Sequence, residues 1–117
     1  MGYFLLYESM FDTVIFARKK WLAPGGKLLP DRATIYLSAI EDEEYKNEKI
    51  GFWDSVYSVD MHSIKKWALV EPLVDRVEPK MINADNCPIF DVDLETVEND
   101  ELDFSSAYCI KFTKKDY

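Results

Sequence analysis

Residues 23–30 read APGGKLLP and separate a helical segment from a β-rich one in this 117-residue sequence. A proline followed by two glycines disfavours continued helix, so the preceding helix is expected to end here. Pro30 fixes its own φ and restricts the residue before it, which suits a boundary between two folding units. The stretch therefore predicts the point where one domain ends and another begins.

The segment before this boundary has the spacing of an amphipathic helix. Apolar side chains recur at three- and four-residue intervals, at Phe4, Tyr7, Met10, Phe11, Val14, Ile15 and Trp21. Asp12 lies towards its start and Arg18 towards its end, which is the charge order that a helix macrodipole favours. We predict a helix over residues 4–21.

The segment after the boundary is rich in strand patterns. Alternating side chains with frequent β-branched and aromatic residues predict strands at residues 33–40, 88–94 and 104–112. Shorter elements are also expected, namely strands at residues 27–29 and 73–77 and a turn at residues 83–86. These elements together predict a β-rich second part of the chain.

A helical, aromatic-rich segment interrupts this β-rich part. Four acids at residues 41–44 mark its start, and Glu71-Pro72 marks its end. Between them lie more large apolar side chains than a surface connection needs, at Tyr45, Phe52, Trp53, Val56, Tyr57, Met61, Ile64 and Trp67. Such side chains pack either on the rest of this chain or on another chain.

The charge balance excludes one broad class of partner. Lys and Arg number 14 against 22 Asp and Glu, which gives a net charge of −8. Phosphate repels such an acidic chain, so we expect no direct binding of nucleic acid, whereas a basic partner would be attracted. No apolar run reaches the roughly 18 residues of a membrane span, so no membrane partner is expected.

Residues that usually carry metal or nucleophilic chemistry are sparse. His62 is the only histidine, and Cys87 and Cys109 form no Cys-x-x-Cys pair, so we predict no metal site. Both cysteines are interpreted as free thiols in a reducing compartment. His62 lies in a polar connector and is not expected to be catalytic. The acid-rich residues 91–103 lack the ligand pattern of a calcium loop and are interpreted as a solvated face.

Glu8 differs from the other acids because its neighbours are apolar. It lies within residues 1–10, which read MGYFLLYESM. A carboxylate that such neighbours partly desolvate has to find a cation or take up a proton. The alternative is an exposed acid that interacts favourably with the N-terminal end of a helix.

Residues 1–10 resemble the second half of the double-glutamate loop of the protein arginine methyltransferases. The likeness covers essentially the whole chain and is nearest to the main type I branch, which makes asymmetric dimethylarginine. Further matching segments are DTV at 12–14, Ala17-Arg18, PGG at 24–26, PDRAT at 30–34, AIED at 39–42, Tyr45-Lys46, Lys49-Ile50, Trp53, Val56-Tyr57, Asp60-Met61, Ile64-Lys65 and EPLVD at 71–75.

The resemblance implies an α+β fold with two incomplete domains. Residues 1–29 would be the C-terminal tail of a Rossmann-like S-adenosylmethionine-dependent methyltransferase domain. Residues 30–117 would be part of a β-barrel domain for substrate, with a helical dimerisation arm inserted at about residues 43–76. The boundary at Pro30 agrees with the break in pattern described above.

The family's arm packs on the Rossmann-like domain of a second subunit, so the resemblance also implies a homodimer. This arrangement would account for the surplus aromatic side chains of the helical segment. Trp53, Tyr57 and Met61 are the side chains expected to make the arm contacts. Cytoplasm and nucleus are the expected locations.

The implied reaction transfers a methyl group from S-adenosylmethionine to a guanidinium nitrogen of arginine. The substrates would be Arg/Gly-rich proteins, such as histones and RNA-binding proteins. Glu8 matches the second of two glutamates that grip the guanidinium by charge-assisted hydrogen bonds. Met10 matches a methionine that lines the pocket, and Tyr3 is expected to form part of the pocket wall.

Several parts of the family's machinery have no counterpart in these 117 residues. They are the first clamp glutamate, the glycine-rich cofactor loop and the Thr-His-Trp loop that completes the active site. We therefore expect the segment alone to be inactive and to be part of a larger methyltransferase. The alternatives are a truncated dimerisation module that pairs with a full-length methyltransferase, and an acidic α+β binding domain without catalysis.

Overall fold

The computed structural model describes residues 4–113, and its chain divides into two compact units. One unit comprises the described residues of Met1–Ser38 and Ala84–Tyr117, and the other is Ala39–Asn83. The second unit therefore contains the whole segment predicted to be an arm, about residues 43–76. The domain boundary at Pro30 stays a prediction.

The first unit combines one long helix with a two-stranded antiparallel sheet. Its regular elements are a 3₁₀ turn Tyr7–Ser9, helix α1 Met10–Trp21, strands β1 Arg32–Leu37 and β2 Cys87–Asp93, and a 3₁₀ turn Asn99–Leu102. The register of β1 against β2 shifts between Ile35 and Tyr36, which is a bulge or irregularity in the ladder. One isolated bridge pairs Ala84, three residues before β2, with Phe112.

A Pro-Gly turn ends the α1 region. Gly26 donates its backbone N–H to the carbonyl of Ala23 at 2.8 Å, and Gly25 has a φ of 76°. This is the position of a tight turn that favours glycine, because other side chains are strained at positive φ. The chain then passes through a cis Leu29–Pro30 bond into β1.

The core of this unit forms where α1 packs on the end of β2. Phe11 and Ile15 are four residues apart, so they lie on one face of the helix, and each is only 1% exposed. They pack against Val92, Leu94 and Val97. Spacing along the sequence thus places the helix on the sheet through a small apolar cluster.

The buried guanidinium of Arg18 joins α1 to the turn after β2. It donates hydrogen bonds to the carbonyl oxygens of Leu94 at 2.9 Å and Val97 at 2.6 Å, and its side chain is only 8% exposed. It also contacts the carboxylate of Glu98 at 3.2 Å, which Lys19 contacts from outside. These neighbouring cations hold the pKa of Glu98 below its usual range, chiefly through the hydrogen bond from Lys19.

The second unit is built from short helical turns rather than one long helix. In order they are α2 Glu43–Tyr45, a π-helical turn Lys46–Ile50, 3₁₀ turns Gly51–Asp54 and His62–Ile64, α3 Lys65–Ala68, and a 3₁₀ turn Pro79–Met81. The Asp42 carboxylate caps α2 by accepting from the N–H of Tyr45 at 2.9 Å. The entry and exit of the unit are paired through a bridge between Ile40 and Ile82.

The structure confirms several sequence predictions and corrects others. The helical character predicted for the segment between the acids at 41–44 and Glu71-Pro72 is confirmed, and β2 lies where residues 88–94 were predicted to form a strand. The predicted strand at residues 33–40 is shorter and begins at Arg32. The helix predicted from residue 4 begins only at Met10, because several residues before it have left-handed backbone angles.

Three other predicted elements are wrong. Residues 27–29 and 73–77 form no strand, and residues 104–112 form no ladder beyond the bridge at Phe112. An alternating pattern favours a strand only where a partner strand satisfies the backbone, and these segments have none of that length among the described residues. The turn expected at residues 83–86 is also not formed.

Two kinds of feature are absent from residues 4–113. No helix in this part of the chain is long and apolar enough to cross a bilayer. No group of three or more His, Cys, Asp or Glu side chains is arranged to hold a metal ion within the same residues.

Candidate active-site segment and helical arm

Glu8 lies in the 3₁₀ turn that leads directly into α1. Its side chain is exposed, and it makes no hydrogen bond or ion pair within the described part of the chain. The sequence left open whether the Glu8 carboxylate is partly desolvated or exposed. In the structure the Glu8 side chain is exposed. Its carboxylate is therefore available to a cation that comes from outside these residues.

The backbone of this segment is strained at two pairs of residues. Glu8 and Ser9 have φ values of 58° and 54°, and Phe4 and Leu5 have φ values of 56° and 61°. Residues other than glycine rarely adopt these angles, and such strain clusters at functional sites. The segment therefore has a specific backbone path that a simple extension of α1 would not give.

Packing on the core holds this strained path in place. Leu5 and Leu6 are partly buried against the cluster around Phe11. Leu6 and Ser9 also line a shallow groove of about 280 Å³ in the same unit. The exposed carboxylate of Glu8 thus projects from a backbone that is fixed on both sides, by the core before it and by α1 after it.

The groove near Glu8 is acidic. Asp12 and Asp103 both line it, and Asp12 accepts a hydrogen bond at 2.7 Å from the side-chain amide of Asn99. The carboxylates of Asp12 and Asp103 attract cations and repel anions. The groove suits a positively charged side chain better than a negatively charged one.

The other two predicted pocket residues have different outcomes. Met10 is the first residue of α1 and is 43% exposed, so its thioether is accessible two positions after Glu8. Tyr3 lies outside the described residues. The pocket roles of both residues, and the catalytic role of Glu8, stay predictions.

The described residues do not by themselves fit S-adenosylmethionine. The glycines of residues 4–113 serve other purposes: Gly25 forms a turn, and a Cβ at Gly26 would clash with Leu22. None of them forms the glycine-rich loop before a helix N-terminus that commonly binds such a nucleoside.

The arm unit contains an open groove lined by aromatic side chains. Its volume is about 590 Å³, and Tyr45, Phe52, Trp53 and Trp67 contribute to the lining. The rings of Phe52 and Trp53 meet edge to face with centroids 5.2 Å apart. Of the predicted arm contacts, Trp53 lines this groove and is half-buried, and Met61 is also half-buried.

Tyr57 stands at the tip of a tight hairpin turn. Val56 and Val59 exchange two backbone hydrogen bonds of 2.9 Å, and the two central residues, Tyr57 and Ser58, have φ values of 51° and 66°. This geometry normally demands Asn-Gly, because both central residues have positive φ. The side chain of Tyr57 is 97% exposed, so the strained turn presents an aromatic ring directly to solvent.

A polar cluster of three side chains connects three helical turns of the arm. Both oxygens of the Asp54 carboxylate lie 2.7 Å from Nζ of Lys65, and Oδ1 lies 3.0 Å from Nδ1 of His62. His62, the one histidine, therefore lies within hydrogen-bonding distance of a surface carboxylate. Hydrogen bonds from Lys65 first and His62 second lower the pKa of Asp54.

We predict that replacing Lys65 by methionine raises the pKa of Asp54. A lowered folded-state pKa means that this carboxylate stabilises the arm above its unfolded pKa of about 4. That contribution is lost as the pH falls through the lower folded-state value. The measurement is a carboxyl-carbon NMR titration of Asp54 in the wild type and in Lys65→Met.

Lys66 provides the matched control for this titration. It is adjacent to Lys65, but its ammonium lies over the Trp67 ring at 5.4 Å from the centroid. Lys66→Met should leave the Asp54 midpoint unchanged. Equal midpoints in the wild type and Lys65→Met would contradict the assignment of the shift to Lys65.

Sequence reasoning missed two of these features. The Tyr57-Ser58 dipeptide carries no turn signal, because neither residue is typical of left-handed positions. Arg18 was noted only as a charge near the helix end, whereas the structure buries it against two carbonyls. A buried arginine has no signature in a single sequence.

Comparison with known proteins identifies the family. A family model described as the arginine methyltransferase oligomerization subdomain matches residues 31–117. The chain belongs to the protein arginine methyltransferase family. The predicted resemblance is thereby confirmed, and the mixed helix and strand content agrees with it.

Two curated relatives match this chain over its full length. Protein arginine N-methyltransferase 1 of Schizosaccharomyces pombe is 56% identical over 117 residues, which are 100% of this chain and 34% of that protein. Protein arginine N-methyltransferase 8-B of Danio rerio is 51% identical over 117 residues, which are 100% of this chain and 28% of that protein. The chain thus spans about a third of the length of the curated relatives it matches.

A solved structure agrees in fold. It is the Trypanosoma brucei PRMT1 enzyme-prozyme heterotetrameric complex with AdoHcy, and it superposes with a TM-score of 0.91 at 39% identity. The match covers 96% of this chain and 35% of that one. This chain therefore shares the fold of that solved protein.

Proposed function

We propose that the native protein is an S-adenosylmethionine-dependent protein arginine N-methyltransferase. The observation that carries this proposal is the identity along the entire chain to proteins named as arginine N-methyltransferases. In this proposal residues 1–117 supply the Glu8 segment and the dimerisation arm. The cofactor would be S-adenosylmethionine, bound by parts of the enzyme other than residues 4–113.

The proposal assigns a domain to each part of the chain. Residues 1–29 are the tail of the Rossmann-like domain, and residues 30–117 are part of the β-barrel, with the arm at about residues 43–76. The pairing of β1 with β2 supports the barrel assignment. The separate compactness of Ala39–Asn83 supports an inserted arm.

Glu8 would act by holding the substrate guanidinium in position. Its exposed carboxylate would accept two hydrogen bonds from the planar guanidinium, which fixes the orientation of the terminal nitrogens. Orientation of this kind contributes to the rate, because the reacting nitrogen is held ready for transfer. The fixed backbone around Glu8 supports this role, since a mobile carboxylate would not orient its partner.

The surroundings of Glu8 would favour Arg/Gly-rich substrates. The carboxylates of Asp12 and Asp103 add negative charge to the same region, and the chain as a whole carries −8. Long-range attraction of this kind raises the local concentration of a basic peptide. Met10, exposed two residues further on, and Tyr3 would form part of the pocket wall.

The arm would mediate a homodimer, and Tyr57 is the residue that tests this most simply. We predict that Tyr57→Ala weakens self-association of the native protein by about tenfold or more, because exposed aromatic anchors dominate interfaces. Its ring makes little contact within its own chain, so the fold should not change. Sedimentation equilibrium of the native protein measures the effect.

Tyr108→Ala is the control for Tyr57→Ala. Tyr108 is 62% exposed and lies outside the arm. Its replacement should leave the dimer intact. Equal weakening by both replacements, or none by Tyr57→Ala, would contradict the assignment of the arm as the dimer contact.

A comparison of two preparations tests the proposed activity. The native protein should methylate an Arg-Gly-rich peptide in the presence of S-adenosylmethionine. The polypeptide 1–117 alone should not exceed its own Glu8→Ala variant. Methylation by the isolated polypeptide above that variant would contradict the expectation that the segment alone is inactive.

A second candidate function is non-catalytic pairing with a full-length methyltransferase. It is favoured by the match of residues 31–117 to an oligomerization subdomain and by the similarity to a complex described as enzyme and prozyme. Addition of polypeptide 1–117 to a full-length relative would then change that enzyme's activity and form a mixed complex on size-exclusion chromatography. If the two do not associate, this alternative is wrong.

A further inference from the structure

Two adjacent residues after β2 contact α1 near its opposite ends. Towards the C-terminal end of the helix, the guanidinium of Arg18 contacts the carboxylate of Glu98 at 3.2 Å. In the first turn of the helix, Oδ1 of Asp12 accepts a hydrogen bond at 2.7 Å from the side-chain amide of Asn99. Because Glu98 and Asn99 are neighbours in sequence, one short piece of backbone holds α1 at two points.

The turn that carries Asn99 is itself held in place. Glu98 and Glu101 form a capping box, in which the carboxylate of Glu101 accepts from the backbone N–H of Glu98 at 2.8 Å. Leu102, the last residue of the turn, packs against the apolar cluster that contains Phe11. The amide of Asn99 therefore reaches α1 from a backbone that is fixed on both sides.

The N-terminal end of α1 lacks the side-chain cap that commonly fixes such an end. Ser9 is the residue before the helix, and its side chain makes no capping hydrogen bond. Its φ of 54° differs from the extended backbone that a capping serine usually has. Asp12, in the first turn, is instead held from outside the helix by Asn99.

Glu8 lies beside this hydrogen bond along the chain. It is four residues before Asp12, in the strained turn that leads into α1. Leu6 and Ser9 line the same groove as Asp12 and Asn99, so the hydrogen bond lies at the groove next to the segment that carries Glu8. A shift of the first turn of α1 would move this segment as well, because the two are continuous.

We propose that Asn99 is a positioning residue for Glu8. The inference rests on the proposed function, in which Glu8 orients the substrate guanidinium. Asn99 acts through Asp12: its amide fixes the first turn of α1, and that turn fixes the direction of the Glu8 carboxylate. A carboxylate can only accept hydrogen bonds, so the amide nitrogen of Asn99 is the donor to Asp12.

An exchange of the two side chains tests the hydrogen bond. Asn99→Asp places two carboxylates opposite each other, and neither can donate. We expect kcat of the native protein on an Arg-Gly-rich peptide to fall about fivefold with KM little changed, because orientation is lost rather than binding. Asp12→Asn combined with Asn99→Asp restores a donor and an acceptor at the same net charge, so it should recover most of the lost kcat.

Two comparisons separate the positioning of Glu8 from other effects. Asn86→Asp adds the same charge at an exposed position of the same unit and should leave kcat unchanged. In a Glu8→Gln background, Asn99→Asp should lower kcat no further, because the carboxylate that it positions is absent. A loss of kcat that persists in that background, or that the exchanged pair does not reverse, would overturn the proposal.

Amide hydrogen exchange tests the same contact without any methylation. A peptide that covers residues 4–13 should exchange about fivefold faster in Asn99→Asp than in the wild type, and the exchanged pair should restore the wild-type rate. An inactive wild-type protein would contradict the proposed function, and exchange would still decide whether Asn99 holds the start of α1. Equal exchange in Asn99→Asp and the wild type overturns the proposal, whatever the activity.

Discussion

Replacement of Glu8 by glutamine should lower kcat of the native methyltransferase by about 100-fold or more. The amide is nearly the same size but carries no charge, and it can accept only one of the two hydrogen bonds that a guanidinium offers. Glu8 projects from a strained turn that is held by Leu5, Leu6 and α1, so the variant should fold as the wild type does. The measurement is steady-state methylation of an Arg-Gly-rich peptide.

Asp100→Asn is the matched control for Glu8→Gln. Asp100 is exposed in the turn Asn99–Leu102 of the same unit, so this variant removes one surface carboxylate without touching the proposed clamp. Its kcat should equal that of the wild type. If both variants lose activity equally, general surface charge and not a specific clamp is responsible, and the role of Glu8 is wrong.

Replacement of Arg18 by methionine should destabilise the first unit by about 2–4 kcal/mol. The variant leaves the carbonyls of Leu94 and Val97 without the donors that they have in the wild type. Methionine fills part of the space but donates no hydrogen bond. Amide hydrogen exchange of α1 and β2 in the native protein measures this change, because local opening free energies appear as lower protection.

Lys19→Met is the control for Arg18→Met. It removes an exposed contact at the same end of α1, whereas Arg18→Met removes hydrogen bonds from a side chain that is only 8% exposed. Lys19 contacts the same Glu98 carboxylate, but its side chain is 53% exposed, and it donates to no backbone carbonyl within residues 4–113. Exposed ion pairs contribute little, so this variant should exchange almost as slowly as the wild type. Equal loss of protection in the two variants would contradict the importance of the buried hydrogen bonds.

Periodicity predicted the elements that pack on each other. The four-residue spacing of Phe11 and Ile15 marks the buried face of α1, and the alternation around Val92 marks β2. Both patterns reflect burial within the first unit, which is why a single sequence contains them. The residue pattern likewise predicted a helical segment with many large apolar side chains, and left open whether these pack on this chain or on another.

The errors lie where local preference and tertiary structure conflict. Helical spacing continues back to Phe4, but left-handed residues at Glu8 and Ser9 stop the helix at Met10. Residues 104–112 alternate like a strand, although only Phe112 finds a ladder partner among the described residues. A pattern records which face of a segment is apolar; it does not record whether a neighbouring strand is present.

The roles of the candidate site residues were predicted from the family resemblance more than from the physical properties of the residues. The residues alone singled out Glu8 for its apolar neighbours, and the structure instead has it exposed on a fixed turn. Tyr57 was named for its place in the arm, but the two-residue turn that presents it could not be predicted from Tyr-Ser. In both cases the sequence indicates the residue, and only the backbone angles indicate how it is presented.

The most direct test of the account identifies the atom that is methylated. The native protein is incubated with S-adenosylmethionine and two peptides that differ only in having arginine or lysine between glycines, and fragment masses then locate any added methyl group. We expect methyl groups on the guanidinium nitrogens of the arginine peptide and none on the lysine peptide. Methylation of lysine, or of neither peptide, would contradict it.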